Sequence, residues 1–230
     1  MKRLGLLGGM SWESSIEYER WINEEIRGRL GGTASADLVI RSFNFADIEA
    51  MQESDDWDAA ARTLAEAARD LQASGAEGIV LCTNTMHRVY DEVQAAVAVP
   101  MLHIADATAA AVRAQGISRV ALLGTRYTME QPFYADRLRA AGLEVSVPEE
   151  PDRTMIHAVI YAELVRGVVS PDSKRQYLRA IDRLVESGAE GVIAGCTEIE
   201  LLVGPEDVRV PYFPTAYLHA QAAARFALEP

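Results

Sequence analysis

One stretch of this chain occurs twice, and that recurrence limits what the chain can fold into more than any other feature. Gly75-Ala76-Glu77-Gly78-Ile79-Val80-Leu81-Cys82-Thr83 returns as Gly188-Ala189-Glu190-Gly191-Val192-Ile193-Ala194-Gly195-Cys196-Thr197. Each copy reads as a helix stopped at a glycine, a short apolar run and then Cys-Thr. Cys82 and Cys196 are the two cysteines of the sequence and lie 114 positions apart. Arg3-Leu4-Gly5-Leu6-Leu7-Gly8-Gly9 has its own counterpart in Arg119-Val120-Ala121-Leu122-Leu123-Gly124-Thr125, at an offset of 116. Two independent matches at nearly one offset indicate an internal duplication, with two units of about a hundred residues each.

Apolar runs alternate with helical periodicity throughout. The first unit reads as strands at Leu4–Leu7, Asp37–Phe43, Glu77–Leu81 and Val99–Leu102. Helices separate them: one capped by Ser11 and closed by Gly31-Gly32, then Asp56–Ser74 and Met86–Val97, and a further helix, Asp106–Gln115, precedes the restart of the pattern. The second unit reads as strands at Arg119–Thr125, Leu143–Val147, Glu190–Ala194 and Val208–Phe213. Its helices are expected over Met129–Ala141, Ile156–Val165, Asp172–Ser187 and Thr215–Leu228. Strands alternating with helices in this way predict an α/β fold of two pseudo-symmetric, doubly wound domains with parallel sheets. The expected division is residues 1–100 plus 214–230 for the lobe carrying Cys82, and 101–213 for the lobe carrying Cys196.

Composition narrows the function. The formal charge of −12 argues against a nucleic-acid partner, which requires a basic footprint. No window of 18 apolar residues occurs, so no membrane partner is expected. Met1-Lys2-Arg3-Leu4-Gly5 runs into a strand without a secretory leader, and the expected location is the cytoplasm. There, two cysteines are poor candidates for a structural disulfide, and two alone do not make a four-cysteine zinc site. Gly5-Leu6-Leu7-Gly8-Gly9 lacks the dinucleotide-binding spacing, and no Gly-Lys-Ser/Thr follows a glycine loop. No lysine stands in a recognisable pyridoxal-phosphate context. No cofactor is expected.

Ligands of parallel α/β sheets bind at the carboxyl ends of the strands, where both cysteines fall. Two thiols facing one cleft between the lobes suit removal of a proton from one face of a carbon and its return from the other. One must be thiolate and the other thiol. A free cysteine titrates near 8.5, so activation is needed, and backbone N–H groups at helix starts can supply it. Plain burial is the alternative reading of either cysteine alone. Thr83, Asn84 and Thr85 offer donors for a carboxylate, or ordinary caps for the next helix. Thr125 lies in a turn that reads either as an anion site or as strand-to-helix punctuation. Glu198 could orient a substrate ammonium or favour a helix start. His87 and His103 show no clustered partner and read as structural. Trp12, Trp21 and Trp57 read as core or interface.

Three motifs carry a family resemblance: Leu6-Leu7-Gly8-Gly9-Met10-Ser11-Trp12-Glu13-Ser14, Cys82-Thr83-Asn84-Thr85-Met86-His87 and Gly195-Cys196-Thr197-Glu198-Ile199. Together they resemble the aspartate/glutamate racemases, which invert amino acids without a cofactor. The resemblance spans essentially the whole chain. It implies catalytic roles for Cys82 and Cys196 and substrate contacts from Met10, Gln52, Thr83, Asn84, Thr85, Thr197 and Glu198. It also implies a small amino-acid substrate and a homodimer. Met155 stands where close relatives carry a lysine, which puts strict aspartate or glutamate specificity in doubt. Arg41, Arg126 and Arg153 are the candidate substitutes. Related folds act on hydantoins, maleate or arylmalonates, and a non-catalytic protein clasping a small acid is the reading outside enzymology.

Overall fold

In a computed structural model of the chain, residues 1–229 are described. They divide into two compact units: Met1–His103 together with the chain from His219 onward, and Ile104–Leu218. The second boundary falls inside the closing helix Thr215–Leu228. The expected break at residue 100 moves because Met101–Leu102 hydrogen-bonds to the first unit's sheet, and 214–218 stay with the second unit.

The first unit holds β1 (Leu4–Gly8), β2 (Leu38–Ser42), β3 (Gly78–Leu81) and β4 (Met101–Leu102), all parallel, in the order β2-β1-β3-β4. The second holds β5 (Arg119–Gly124), β6 (Glu144–Ser146), β7 (Gly191–Gly195) and β8 (Tyr212–Pro214), all parallel, in the order β6-β5-β7-β8. The two orders are the same. The duplication seen in the sequence is therefore a duplication of topology.

The recurring arginine and Gly-Ala-Glu have one structural cause. In the first unit the Arg3 N–H donates to Glu77 Oε1 (3.0 Å) while the Glu77 N–H donates to the Arg3 carbonyl (2.8 Å). In the second, the Arg119 N–H donates to Glu190 Oε2 (3.2 Å) and the Glu190 N–H to the Arg119 carbonyl (2.8 Å). Each pair locks the start of a unit's first strand beside the start of its third. The alanine between them closes the preceding helix: the Ala76 N–H reaches the Leu71 carbonyl and the Ala189 N–H the Leu184 carbonyl.

Central strands buried on both faces need apolar residues at every position. In β5 and β7 alternate residues serve opposite faces. Ala121, Leu123, Val192 and Ala194 pack with Ile156, Ile160, Tyr177 and Ile181. Val120, Leu122 and Ile193 pack with Ile104, Val112, Tyr134, Leu138 and Phe213. In the first unit the helix Trp12–Leu30 buries Tyr18, Ile22 and Ile26 at four-residue spacing, and the helix Trp57–Ala73 buries Leu64, Ala68 and Leu71. Each fully buried Leu or Ile is worth about 1.5–3 kcal/mol. Of the tryptophans, Trp57 is buried and Trp12 is exposed.

Several elements are shorter than the periodicity predicts. Pro132 breaks the helix expected over Met129–Ala141 into Arg126–Glu130 and Pro132–Ala140, because it forces the preceding Gln131 out of helical geometry. The strand expected over Val208–Phe213 is only Tyr212–Pro214, since Pro211 has no N–H to donate and offers just its carbonyl to Val192. The helix expected from Met86 starts as a 3-10 turn, Thr85–Val89, followed by Tyr90–Ala95.

Candidate active site

Each unit delivers one cysteine at the carboxyl end of its third strand. In the first unit the Cys82 N–H donates to the Leu7 carbonyl (2.9 Å), extending the β1–β3 pairing by one residue. The Thr83 N–H then turns back to the Leu81 carbonyl (2.8 Å), so the chain bends tightly around Cys82. The Cys82 thiol points to the Val80 carbonyl at 3.7 Å, a weak contact. Thr83, Asn84, Thr85 and Met86 follow, all buried. Asn84 makes no side-chain cap, although it occupies the cap position of the turn Thr85–Val89. Gln52, also buried, donates from Nε2 to the Met86 sulfur (3.0 Å), which places the distant Gln52 against this loop.

Met10 is buried on the turn that leaves β1. That turn depends on glycine. Gly9 has φ +84°, and a Cβ there would lie 2.3 Å from the Phe43 backbone nitrogen and oxygen. The close approach lets the Phe43 N–H bond the Gly8 carbonyl (3.0 Å).

In the second unit Cys196 follows β7 and belongs to the apolar cluster of that sheet face. Its thiol donates to Glu198 Oε2 at 2.9 Å, and the Thr197 hydroxyl donates to the same oxygen at 2.7 Å. Glu198 is only 3% exposed. It therefore contacts the cysteine directly, a hydrogen bond that neither sequence reading of Glu198 described. Thr125 accepts from the Thr128 N–H (3.3 Å) and caps the helix Arg126–Glu130, so the punctuation reading of that turn holds. Thr128, fully buried, packs over the paired strand ends: Cβ atoms at Gly124 and Gly195 would lie within 3.1 and 3.3 Å of it.

The two thiols differ in electrostatics. Burial alone pushes the Cys82 thiol far above the usual cysteine range. Cys196 is also pushed well up, by burial first and then by the neighbouring Glu198 charge. Both are thiols at neutral pH, and Cys196 alone of the two lies within hydrogen-bonding distance of a carboxylate.

The proposed substitutes for a lysine at Met155 differ as well. Arg153 pairs with Glu130 (3.0 Å) and Glu150 (3.3 Å). Arg41 lies over the Phe43 ring, and Arg126 lies over the Tyr127 ring just past the end of β5.

His87 and His103 do have a clustered partner, contrary to the sequence reading. Their ring centroids are 4.5 Å apart, and His219 lies 5.8 Å from His87. The third member comes from the closing helix, so nothing local in the sequence signals it. Among the described residues no group of three or more His, Cys, Asp or Glu side chains is arranged to hold a metal ion, and no helix is long and apolar enough to cross a membrane.

Fold and site together define a doubled α/β protein with one buried cysteine at the same station of each half. The model of the Asp/Glu/Hydantoin racemase family matches residues 7–223, and the chain belongs to that family. A Yersinia pestis structure described as a candidate Asp/Glu racemase is 50% identical over the full length of both chains, with a TM-score of 0.93. An aspartate racemase homologue from Pyrococcus horikoshii is 36% identical, again over the full length of both, with a TM-score of 0.86. The broad specificity amino-acid racemase RacX of Bacillus subtilis is 24% identical over 163 residues, which is 68% of this chain and 67% of RacX. Membership supports a racemase activity and places the protein among the isomerases.

Proposed function

We propose that the protein racemises a small acidic amino acid, aspartate or glutamate, by proton transfer between Cys82 and Cys196. The observation that carries this reading is the matched pair of buried cysteines, each at the carboxyl end of the third strand of a four-stranded parallel sheet with the same strand order. The likeness to the Pyrococcus aspartate racemase homologue favours an acidic substrate.

The hydrogen bond between Cys196 and Glu198 supports the following chemistry. Cys196 passes its proton to Glu198 Oε2, giving a thiolate beside a carboxylic acid. The substrate ammonium stabilises that thiolate, which burial otherwise opposes. The thiolate removes the α-proton, and the electron pair left on carbon spreads into the α-carboxylate. Thr83, Asn84 and Thr85 supply the donors that hold that developing charge, with Met10 and Gln52 lining the substrate, while Thr125 stays with its helix cap and Thr197 with Glu198. The Cys82 thiol donates its proton to the opposite face of the carbon and becomes the thiolate. In the reverse direction the roles exchange, and no atom is gained or lost overall.

Proton NMR in D₂O with L-aspartate and L-glutamate tests the reading. Loss of the α-proton signal and appearance of the D-enantiomer on chiral chromatography are expected. Cys82→Ser and Cys196→Ser should each lower racemisation by at least about 10³-fold, since serine is far harder to ionise. Normal racemisation by the double variant, or no exchange with either acid, would overturn it. The similarity to RacX favours a second reading, a broader substrate range, which activity on neutral amino acids in the same assay would establish.

A further inference from the structure

The loop after Cys82 is tied to a buried group that the proposed reaction does not use. His87, His103 and His219 meet inside the first unit, and all three are buried. The Tyr90 ring stacks on His87 at 5.9 Å and lies 4.6 Å from His103. Tyr18 meets His219 edge-on at 5.7 Å. Five rings from four stretches of chain thus pack behind the cysteine loop.

Their hydrogen bonds fix the protons. His87 Nδ1 lies 2.7 Å from the Thr83 carbonyl, which can only accept, so Nδ1 carries the hydrogen. His219 Nε2 lies 3.0 Å from the Leu102 carbonyl and carries its hydrogen for the same reason. The other ring nitrogen of His219, Nδ1, meets the Tyr18 hydroxyl at 3.1 Å. The charges and dipoles acting on His87 are those of His103, His219 and the carbonyls of Thr83 and Leu102.

Thr83 is the residue after the proposed base-and-acid Cys82. Its N–H closes the bend around Cys82, and its carbonyl is held by His87, whose own N–H bonds the Asn84 carbonyl (3.1 Å). The loop 83–87 is therefore closed on itself through one imidazole. We propose that His87 is a positioning residue: its Nδ1–H, braced by His103 and His219, fixes the Thr83 peptide and so aims the Cys82 thiol at the substrate. This inference rests on the racemase reading for its effect on turnover, and on geometry alone for its effect on the thiol.

Three variants separate a donor role from mere packing. Asparagine can place an amide N–H near the position of Nδ1, glutamine places one farther out, and alanine places none. His87→Ala and His87→Gln should lower kcat for aspartate by about 10- to 100-fold, the range for a catalytic group displaced by an ångström or less. KM should stay within about threefold, and His87→Asn should recover most of the loss. The same ranking should appear in the rate of iodoacetamide alkylation of Cys82, measured by mass spectrometry in a Cys196→Ser background. That readout does not require turnover, so it stands even if no amino acid is racemised. A kcat and alkylation rate that follow the melting temperatures of the variants instead of the donor, or an alanine variant unchanged in both, would overturn the proposal.

Discussion

At the scale of single residues, the two cysteine stations differ although the repeat that builds them does not. Cys82 and Cys196 share their strand station, but a carboxylate oxygen 2.9 Å from the thiol belongs to Cys196 only. Glu198→Gln keeps the size and an oxygen for the Thr197 hydroxyl but removes the proton acceptor. It should lower kcat by about 10²–10³-fold, within the range for loss of a general base, with KM little changed. Steady-state kinetics in both directions checks this, and a change confined to KM would return Glu198 to substrate binding. The cysteines were legible in the sequence because a rare residue recurred at one station. The Glu198 contact was not, because spacing places a side chain on a loop without saying which neighbour its rotamer reaches. His219 was less visible still: its contacts with Tyr18 and the Leu102 carbonyl join parts of the chain that no local pattern relates.

At the scale of elements, β5 and β7 approach too closely for side chains at their ends. A Cβ on Gly195 would lie 2.7 Å from the Leu123 carbonyl oxygen, and one on Gly124 would lie 2.7 Å from the Gly195 carbonyl oxygen. Backbone atoms cannot swing aside as a flexible side chain can, so the strand end must shift. Gly195→Ala should cost about 1–3 kcal/mol, in line with overpacked cores. At about 2–4 °C per kcal/mol for a chain of this size, the melting temperature should fall by roughly 2–12 °C in scanning calorimetry. Because Cys196 is the next residue, kcat should fall more than stability alone explains. The sequence pattern located β5 and β7 through their apolar runs, and β7 carries the one extra residue, Gly195, that separates the 114-residue and 113-residue spacings within the repeat. The sequence over-extended the element after β5 and the last strand, because Pro132 and Pro211 act through single missing or displaced backbone bonds that apolar periodicity does not register.

At the scale of the whole molecule, two opposing effects set the response to acid. The charge of −12 at neutral pH repels itself, and protonation toward the isoelectric point near 4.8 relieves that repulsion. Histidines held away from water act the other way: His87 is buried and His157 half-buried. Burial, then His103 and His219, hold His87 well below the ordinary histidine range, and burial with the nearby Arg126 lowers His157 to about 4. Both rings are neutral in the fold, while the unfolded chain takes up protons near pH 6.5. The unfolded state then binds more protons, so stability falls as the pH drops below about 6.5 and keeps falling toward the folded-state values. The lowered carboxyls of Asp37, Glu150, Glu190 and Asp207 add losses only near pH 4 and below, and all four lie at the surface, where water screens their pairs. Histidine desolvation is local, whereas the net-charge repulsion is spread over the surface and screened by salt. Between pH 7 and 5.5 the histidines should therefore prevail at 0.15 M salt, and the melting temperature should decline. His87→Asn removes one of these rings without removing its donor, and should flatten that decline. A wild-type melting temperature that rises over the same interval would show that charge relief outweighs the histidines.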